Sequence, residues 1–359
     1  MTTNYPQRTI MIGDEQIPLE KFLGSGMTAD VYVANQHGRK MAVKVLRANS
    51  DKVVRDNFES EYRNLTDLAR AWSQEFSGYP LVIPEVYARD LGVQAPLCFI
   101  AMEFMSGEKL VDYIPSKGKL SEQQAFELLS QFGKLLHVLH TKLRKCYADI
   151  KLENLWVLTE SPDKLQLKVT DWNVLSDYSE EGAQRDIFYA SYFLYWALTG
   201  VKLSYRREQI AAKLDSDPVF LSLSAPAREF FRQALHASRG RRHKNACEWY
   251  TAAAQIALWW GTNASDLNIS AQAELTLGKT ERGLGRLKEA RHAFEKASYI
   301  LDISDRKGRG NRATWAECNN QLTEGLESTS SLEQGLLYLR GDSYLAAQNE
   351  FDARADLSV

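Results

Sequence analysis

Cysteine and proline are scarce in this chain of 359 residues. The four cysteines, Cys98, Cys146, Cys247 and Cys318, lie far apart and form no CxxC pair. This spacing excludes a disulfide scaffold and supplies no clustered zinc ligands. We therefore expect idle thiols in a reducing compartment. Nine prolines and 25% charged residues also exclude collagen-like and largely disordered chains.

An excess of either charge is missing as well, because 44 Lys and Arg residues face 46 Asp and Glu residues. A net charge of -2 gives no electrostatic reason to bind nucleic acid or an anionic membrane, and we expect neither as a partner. The longest apolar run, near residues 252–260, is far shorter than the ~20 residues that span a bilayer. The N-terminus has no basic region followed by an apolar core, so we expect a cytoplasmic protein.

The pattern of apolar residues predicts an α+β chain of about two domains, at ~150 residues each. Short apolar and β-branched runs predict strands in residues 8–48, and helical spacing follows over 52–76. A strand pair fits residues 81–104. Mostly helical patterns follow from about residue 121, broken by strand-like pieces within 146–171. A very apolar helix is predicted over 184–200, ending at Gly200.

A change in composition near residue 260 separates the two predicted domains. From there to Val359 the strand signals stop, and amphipathic helices alternate with Gly, Asn and Ser. We therefore predict domains over 1–260 and 261–359.

The first motif with chemical meaning is Gly24-Ser25-Gly26, which lies between two predicted strands. Paired glycines let a hairpin backbone approach phosphate closely. An ordinary hairpin turn explains the same residues as well. The next strand carries Lys44, and the helix after it carries Glu59 and Glu61, either of which could pair with that lysine.

Two further motifs follow, Tyr147-Ala148-Asp149-Ile150-Lys151-Leu152-Glu153-Asn154 and Asp171-Trp172-Asn173. They stand where H-R-D-L-K-x-x-N and D-F-G stand in protein kinases. The order and spacing of these elements mean that the chain resembles the protein kinase family over roughly residues 8–260. The resemblance implies a bilobal fold with a β-rich N-lobe (1–105) and a helical C-lobe (106–260).

The same resemblance implies an ATP- and Mg²⁺-dependent phosphotransferase. Lys44 would hold the α- and β-phosphates, with Glu61 as its anchor. Asp149 would accept or orient the proton of the acceptor hydroxyl, and Lys151 would neutralise the transferring phosphoryl group. The implied magnesium ligands are Asn154 and Asp171.

Adenine recognition is implied for the segment that begins at Met102, the gatekeeper position, because it resembles the linker whose backbone bonds adenine. Trp156 stands where the family has an aliphatic residue under adenine. An indole there could stack on adenine or pack into the core. The implied ATP-binding residues are Gly24, Ser25, Gly26, Val31, Ala42, Lys44, Met102, Glu103, Met105 and Trp156.

Other departures from the family concern control and substrate binding. Ala148 replaces the arginine that binds a phosphorylated activation loop, and Asn173 replaces the glycine of D-F-G. Only about fifteen residues separate Asp171 from Asp186, the acid that resembles the family's anchor for the catalytic loop. This interval contains no A-P-E motif, so we expect a shortened activation segment without the usual peptide platform.

The C-terminal region resembles tetratricopeptide repeats in its spacing of Gly278, Ala290, Phe294 and Ala297. A weaker copy covers residues 337–357. Such repeats imply a concave face for a protein partner, whereas a plain helical extension is the alternative. The chain ends at Val359, inside the helix that should complete the second copy, which suggests a truncated array.

These observations favour a protein Ser/Thr kinase whose repeats bind a partner or substrate. All of the charged catalytic positions are present, which favours activity. An ATP-binding pseudokinase that acts as a signalling switch or interaction scaffold is the alternative. A small-molecule acceptor also remains open.

Overall fold

The N-terminal part of the protein is a β-sheet with one long helix. A computed structural model describes residues 8–26, 28–47, 50–92, 97–161, 164–203 and 207–308, together with 314 and 321. The first strands and the helix are β1 (Thr9–Ile12), β2 (Glu15–Ser25), β3 (Ala29–Gln36), β4 (Arg39–Leu46), α1 (Lys52–Glu75), β5 (Val86–Asp90) and β6 (Phe99–Glu103).

These six strands form one antiparallel sheet in the order β1-β2-β3-β4-β6-β5. Strand β4 alternates between its two faces, so Met41, Val43 and Val45 are buried in the apolar core. Ala42 and Lys44 therefore point to the other face, only partly buried. The strands predicted within residues 8–48 are confirmed.

Helix α1 confirms the helical spacing predicted over residues 52–76. It begins after Asp51, whose carboxylate caps the helix by accepting the N–H of Val54 at 2.9 Å. Its buried face includes Phe58, Glu61 and Leu65, at helical spacing. A single carboxylate is thus held on an otherwise apolar stripe.

A second group of elements, made of short strands and two helices, brings the motifs at residues 147–154 and 171–173 close together. It comprises β7 (Glu108–Lys109), α2 (Leu110–Lys117), α3 (Glu122–Thr141), β8 (Lys145–Cys146), β9 (Leu155–Ser161), β10 (Lys164–Val169) and β11 (Ser176–Asp177). Strands β9 and β10 are antiparallel, with Leu155 opposite Val169. Residue Asn154 precedes the first of these strands and Asp171 follows the second, so both lie at one end of the hairpin.

The remaining described elements are helical, as the sequence pattern predicts. They are α4 (Glu180–Thr199), α5 (Arg207–Ser216), α6 (Pro218–Leu221), α7 (Ala225–Ala234), α8 (Ala246–Gly261), α9 (Ala264–Gly283) and α10 (Leu287–Arg306). Helix α4 begins one turn earlier than predicted, because the hydroxyl of Ser179 caps the N–H of Gly182 at 3.0 Å. It ends at Gly200, whose φ of 72° is left-handed.

Contacts divide the chain into two compact units. The first contains Met1–Lys119, Leu128–Gly200 and His243–Tyr250, and the second contains Leu120–Glu127, Val201–Arg242 and Thr251–Val359. In the second unit, Asp302 of α10 accepts the N–H of Ala225 at 2.8 Å, at the start of α7. Residues on both sides of position 260 therefore pack into one unit.

Helices α9 and α10 confirm the helical character predicted for the part of the tail that the structure describes, up to residue 308. Gly278 lies so close to α10 that an added Cβ would stand 2.4 Å from the ring of Phe294. The second repeat-like copy, at residues 337–357, lies outside the described residues. None of the described helices has the length and apolar character needed to cross a bilayer.

Candidate active site

The structure pairs Lys44 with one of its two candidate partners. The ammonium of Lys44 bonds to the carboxylate of Glu61, which is almost fully buried on α1. Glu59 instead binds Arg63, one turn further along the same helix, at 2.7 Å. The alternative that the sequence left open is therefore decided by helix geometry, because residues two positions apart lie on different faces.

Three charged side chains gather where the motifs meet. The ammonium of Lys151 lies 2.7 Å from Oδ2 of Asp149 and 3.5 Å from Oδ2 of Asp171. Burial alone would lower the pKa of Lys151, but its bond to Asp149 and the charges of both carboxylates raise it above the ordinary value. The lysine is therefore firmly cationic between two carboxylates.

Asn154 is buried beside this group and is held through its amide nitrogen. That nitrogen donates to the hydroxyl of Tyr147 at 3.1 Å and to the backbone carbonyl of Asp149 at 3.2 Å. The amide oxygen of Asn154 and the carboxylate of Asp171 are hard oxygen donors, the ligand type that Mg²⁺ prefers. The residues present therefore fit a magnesium ion.

The backbone at Tyr147 and Ala148 is fixed by Asp186 of α4. Its carboxylate accepts the N–H of Tyr147 at 2.9 Å and the N–H of Ala148 at 3.2 Å, and it lies 3.0 Å from Nε2 of His140. Ala148 has a φ of 62°, a left-handed conformation that is uncommon for a residue with a side chain. The two hydrogen bonds at this position explain how the chain holds that conformation.

Cys146 joins this buried group, although sequence spacing gave no sign of it. The ligand atoms of His140, Cys146 and Asp186 all lie within 4.8 Å of one another. Burial raises the pKa of the Cys146 thiol, so the sulfur stays protonated at neutral pH. The carboxylate of Asp186 already accepts two backbone N–H groups, so we interpret the His140–Cys146–Asp186 cluster as a structural group and not as a metal site.

Aromatic packing connects Tyr147 to Trp172, the residue after Asp171. The rings of Tyr147 and Trp172 lie 4.5 Å apart, and the indole N–H of Trp172 donates to the carbonyl of Val169 at 2.8 Å. The side-chain amide of Asn64, on α1, donates to the carbonyl of Trp172 at 2.7 Å. Helix α1 is therefore attached to this strand end as well as to Lys44. Asn64 belongs to none of the sequence motifs.

Gly24 lies near the end of β2, opposite Val31, and Gly26 is the first residue after that strand. The hydroxyl of Ser25 donates to the carboxylate of Asp30, and Arg47 donates to that hydroxyl and to the carbonyl of Gly26. The hydrogen bond from Ser25 is the largest factor that lowers the pKa of Asp30. Arg47, which the sequence motifs did not indicate, thus holds the backbone at Gly26.

The predicted adenine-side residues lie on or beside β4 and β6, except for Trp156, which lies on β9. Ala42 is opposite Met102, whose side chain is buried, and Lys44 is opposite Val31 on the other side. Met105 lies just after β6. Trp156, on β9, is half-buried, with the ammonium of Lys109 5.6 Å from its ring centre.

The stretch from Asp171 to α4 is anchored along its length. Ser176 and Asp177 pair with β8, and the N–H of Tyr178 donates to the carbonyl of Arg144 at 2.9 Å. The guanidinium of Arg144 also stacks 4.0 Å from the ring centre of Tyr178. This arrangement leaves only residues 172–175 between Asp171 and the paired strand.

Comparison with known proteins agrees with this geometry. The family model described as "Protein kinase domain" matches residues 18–197, half of the chain. Protein kinase kin1 of Schizosaccharomyces pombe is 25% identical over 49% of this chain and 20% of its own length. The serine/threonine-protein kinase drp72 of Corynebacterium efficiens is 30% identical, over 48% of this chain and 31% of its own.

A plant protein is similar to the same extent. Calcium-dependent protein kinase 12 of rice, Oryza sativa subsp. japonica, is 29% identical over 52% of this chain and 34% of its own length. The chain thus spans between a fifth and a third of these relatives. The match to the protein kinase domain, together with the Lys44–Glu61 pair and the Asp149–Lys151–Asp171 group, leads to one conclusion: the chain belongs to the protein kinase family.

Proposed function

We propose that the protein is an ATP- and Mg²⁺-dependent phosphotransferase that modifies Ser or Thr hydroxyls on a protein. The placement of Lys151 between Asp149 and Asp171 carries the proposal. Phosphoryl transfer needs a base or orienting carboxylate, a metal ligand and a cation within one small volume. The names of the similar bacterial and plant proteins, which are protein kinases, support the same reaction class.

Each residue then has a defined task. Asp149 accepts a hydrogen bond from the acceptor hydroxyl and takes its proton as the oxygen attacks. Lys151 balances the negative charge on the transferring group, and Lys44, held by Glu61, binds the α- and β-phosphates. Asn154 and Asp171 would hold Mg²⁺, which supplies positive charge beside the phosphate oxygens.

Acceptor binding should differ from that of a kinase with a peptide platform. We propose that the segment between Asp171 and α4 is too short for such a platform, a proposal supported by the pairing of β11 with β8 and by the start of α4 at Glu180. We propose that the tail recruits the partner or substrate, through a repeat-like pair of helices in which Gly278 lets α9 and α10 pack closely. The acceptor would then reach Asp149 from a bound protein.

A nucleotide-binding pseudokinase is the second candidate, favoured by two substitutions. Ala148 removes a basic side chain next to the catalytic aspartate, and Asn173 stands where a glycine gives the metal-binding loop its freedom. Under this proposal ATP would stabilise one conformation, and the helices would transmit it to a partner without transfer of phosphate.

Intact-mass measurement after incubation with Mg-ATP, together with production of ADP, tests the proposal. Wild type should consume ATP or gain a phosphate, whereas Asp149→Asn, which keeps the size but removes the base, should do neither. Turnover by the variant equal to that of wild type would remove Asp149 from its role. Binding of ATP without turnover by either protein would favour the pseudokinase. Loss of that binding in Lys44→Ala would then exclude a scaffold that ignores nucleotide.

A further inference from the structure

A buried lysine outside the known motifs connects the two halves of the nucleotide site. Lys168 lies on β10, three residues before Asp171, and is only 4% exposed. Its ammonium donates to the carboxylate of Glu103 at 2.6 Å and to the carbonyl of Ile83 at 3.2 Å. A cation is rarely buried so deeply unless it is paired with an anion or bonded to polar groups. The role of Lys168 is therefore inferred from the groups that it binds.

Glu103 belongs to the segment that the resemblance assigns to adenine. Its side chain binds Lys168 and also accepts the N–H of Glu85 at 3.2 Å, while its own N–H donates to the carbonyl of Glu85 at 2.8 Å. The backbone at Glu103 is therefore tied at both its main chain and its side chain. Any movement of Lys168 would act directly on this backbone.

The attachment continues along β10 toward the metal side. The N–H of Val169 donates to the carbonyl of Val82 at 2.8 Å, and the amide of Gln166 donates to the carbonyl of Leu81 at 3.3 Å. Residues 81–85 thus lie as a brace between β10 and Glu103. Lys168 is the charged group that connects strand β10, residues 81–85 and Glu103.

We propose that Lys168 is a positioning residue that fixes the adenine-binding backbone of Glu103 and Met105 relative to Asp171. This inference rests on the proposed nucleotide-binding function and extends it to selectivity for the base. Hydrogen bonds from a fixed backbone discriminate strongly between bases, because a wrong edge leaves polar groups unpaired. Phosphate and metal contacts, made by Lys44 and Asp171, do not depend on the same segment.

The test compares Mg-ATP, Mg-GTP and Mg-tripolyphosphate binding by calorimetry, in wild type and in Lys168→Met. Methionine keeps the length of the side chain and removes its charge. We expect ATP to bind about tenfold more weakly, since small misplacement of a binding group has large effects. Affinities for GTP and tripolyphosphate should stay within about twofold, because the phosphate contacts are intact. The selectivity for ATP over GTP should therefore fall in the variant.

Matched variants separate this role from a general loss of structure. Lys164→Met removes an exposed lysine at the start of the same strand and should leave all three affinities unchanged. Glu103→Gln removes the other charge and should reproduce the ATP-specific loss, and it replaces Lys168→Met if that variant does not fold. Lys168→Arg, which keeps the charge, should recover part of the ATP affinity.

The outcomes also distinguish this inference from the function on which it rests. Unchanged ATP selectivity in both Lys168→Met and Glu103→Gln would overturn the positioning role, while the nucleotide-binding function would stand. An equal weakening of all three ligands would overturn it too, since the effect would not belong to adenine. Absence of ATP binding in wild type would instead contradict the proposed function itself.

Discussion

Lys44 and Glu61 are joined across the sheet and helix of the N-terminal part, while Glu59, two residues earlier, faces Arg63. This difference provides a matched pair of variants. Glu61→Gln should lower kcat/KM for ATP by about 10- to 100-fold, because an unanchored lysine no longer holds the phosphates in position. Glu59→Gln should leave it unchanged. Steady-state kinetics over a range of ATP concentrations measures both, and equal effects of the two changes would contradict the assignment.

Gly278 predicts a packing requirement between α9 and α10. An alanine there would place its Cβ 2.4 Å from a ring carbon of Phe294, so Gly278→Ala should lower the free energy of unfolding by about 1–3 kcal/mol. Gly283, at the end of the same helix, has open space around it. Gly283→Ala should therefore stabilise the helix by ~0.5–1 kcal/mol. Urea unfolding of the full chain provides the comparison, and a neutral Gly278→Ala would show that the two helices pack less closely.

His243 predicts a loss of stability in mild acid. Burial lowers the pKa of His243 to about 4, from an ordinary value of 6.5. Between these two pH values the histidine is protonated in the unfolded chain and neutral in the folded chain. Stability should therefore fall as the pH is lowered from about 6.5 to 4, by up to ~3 kcal/mol.

His243→Gln should flatten this part of the pH profile. His292→Gln, on the exposed side of α10, should leave it unchanged. Thermal unfolding between pH 7 and 4.5 is the measurement, and a slope identical in wild type and His243→Gln would exclude this histidine as its source.

Trp156 can be tested as the residue beneath the adenine. Its indole is only half-buried, so a ligand bound beside it should change its fluorescence, and we expect ATP to do so. Trp156→Leu should abolish that change and weaken ATP binding by about 0.5–1.5 kcal/mol, the value of an aromatic contact. The variant Trp249→Phe, in a fully buried position, should retain the ATP response. A large loss of stability with unchanged ATP affinity would assign Trp156 to the core.

The strands around Lys44 and the long helix after it could be predicted from sequence, because each buries one apolar face with a clear period. The helical spacing alone leaves both Glu59 and Glu61 as partners of Lys44, because the choice depends on which face of the helix meets the sheet. The family resemblance implied Glu61, and the structure pairs that residue with Lys44. The start of α4 lies one turn before the predicted residue 184, because a single capping hydroxyl, that of Ser179, determines where the helix begins.

The site itself divides in the same way. Asp149, Lys151, Asn154 and Asp171 can be named as candidate site residues from sequence, because their spacing along the chain is characteristic of the family. Lys168, Arg47 and Asn64 cannot, since each contacts residues far away in sequence: Lys168 and Glu103, for example, are 65 positions apart. Pairings of this kind are visible only once the fold has brought the strands together.

The four residues between Asp171 and the paired strand β11 also limit how far this part of the chain can travel. Fully extended, they span about 14 Å, and their far end is held by Ser176 opposite Cys146. A displacement of several nanometres would first require the small β8–β11 sheet to separate. We therefore expect an acceptor to reach Asp149 without a prior movement of residues 172–175. The time course of phosphate transfer should then show no slow phase from opening of this segment.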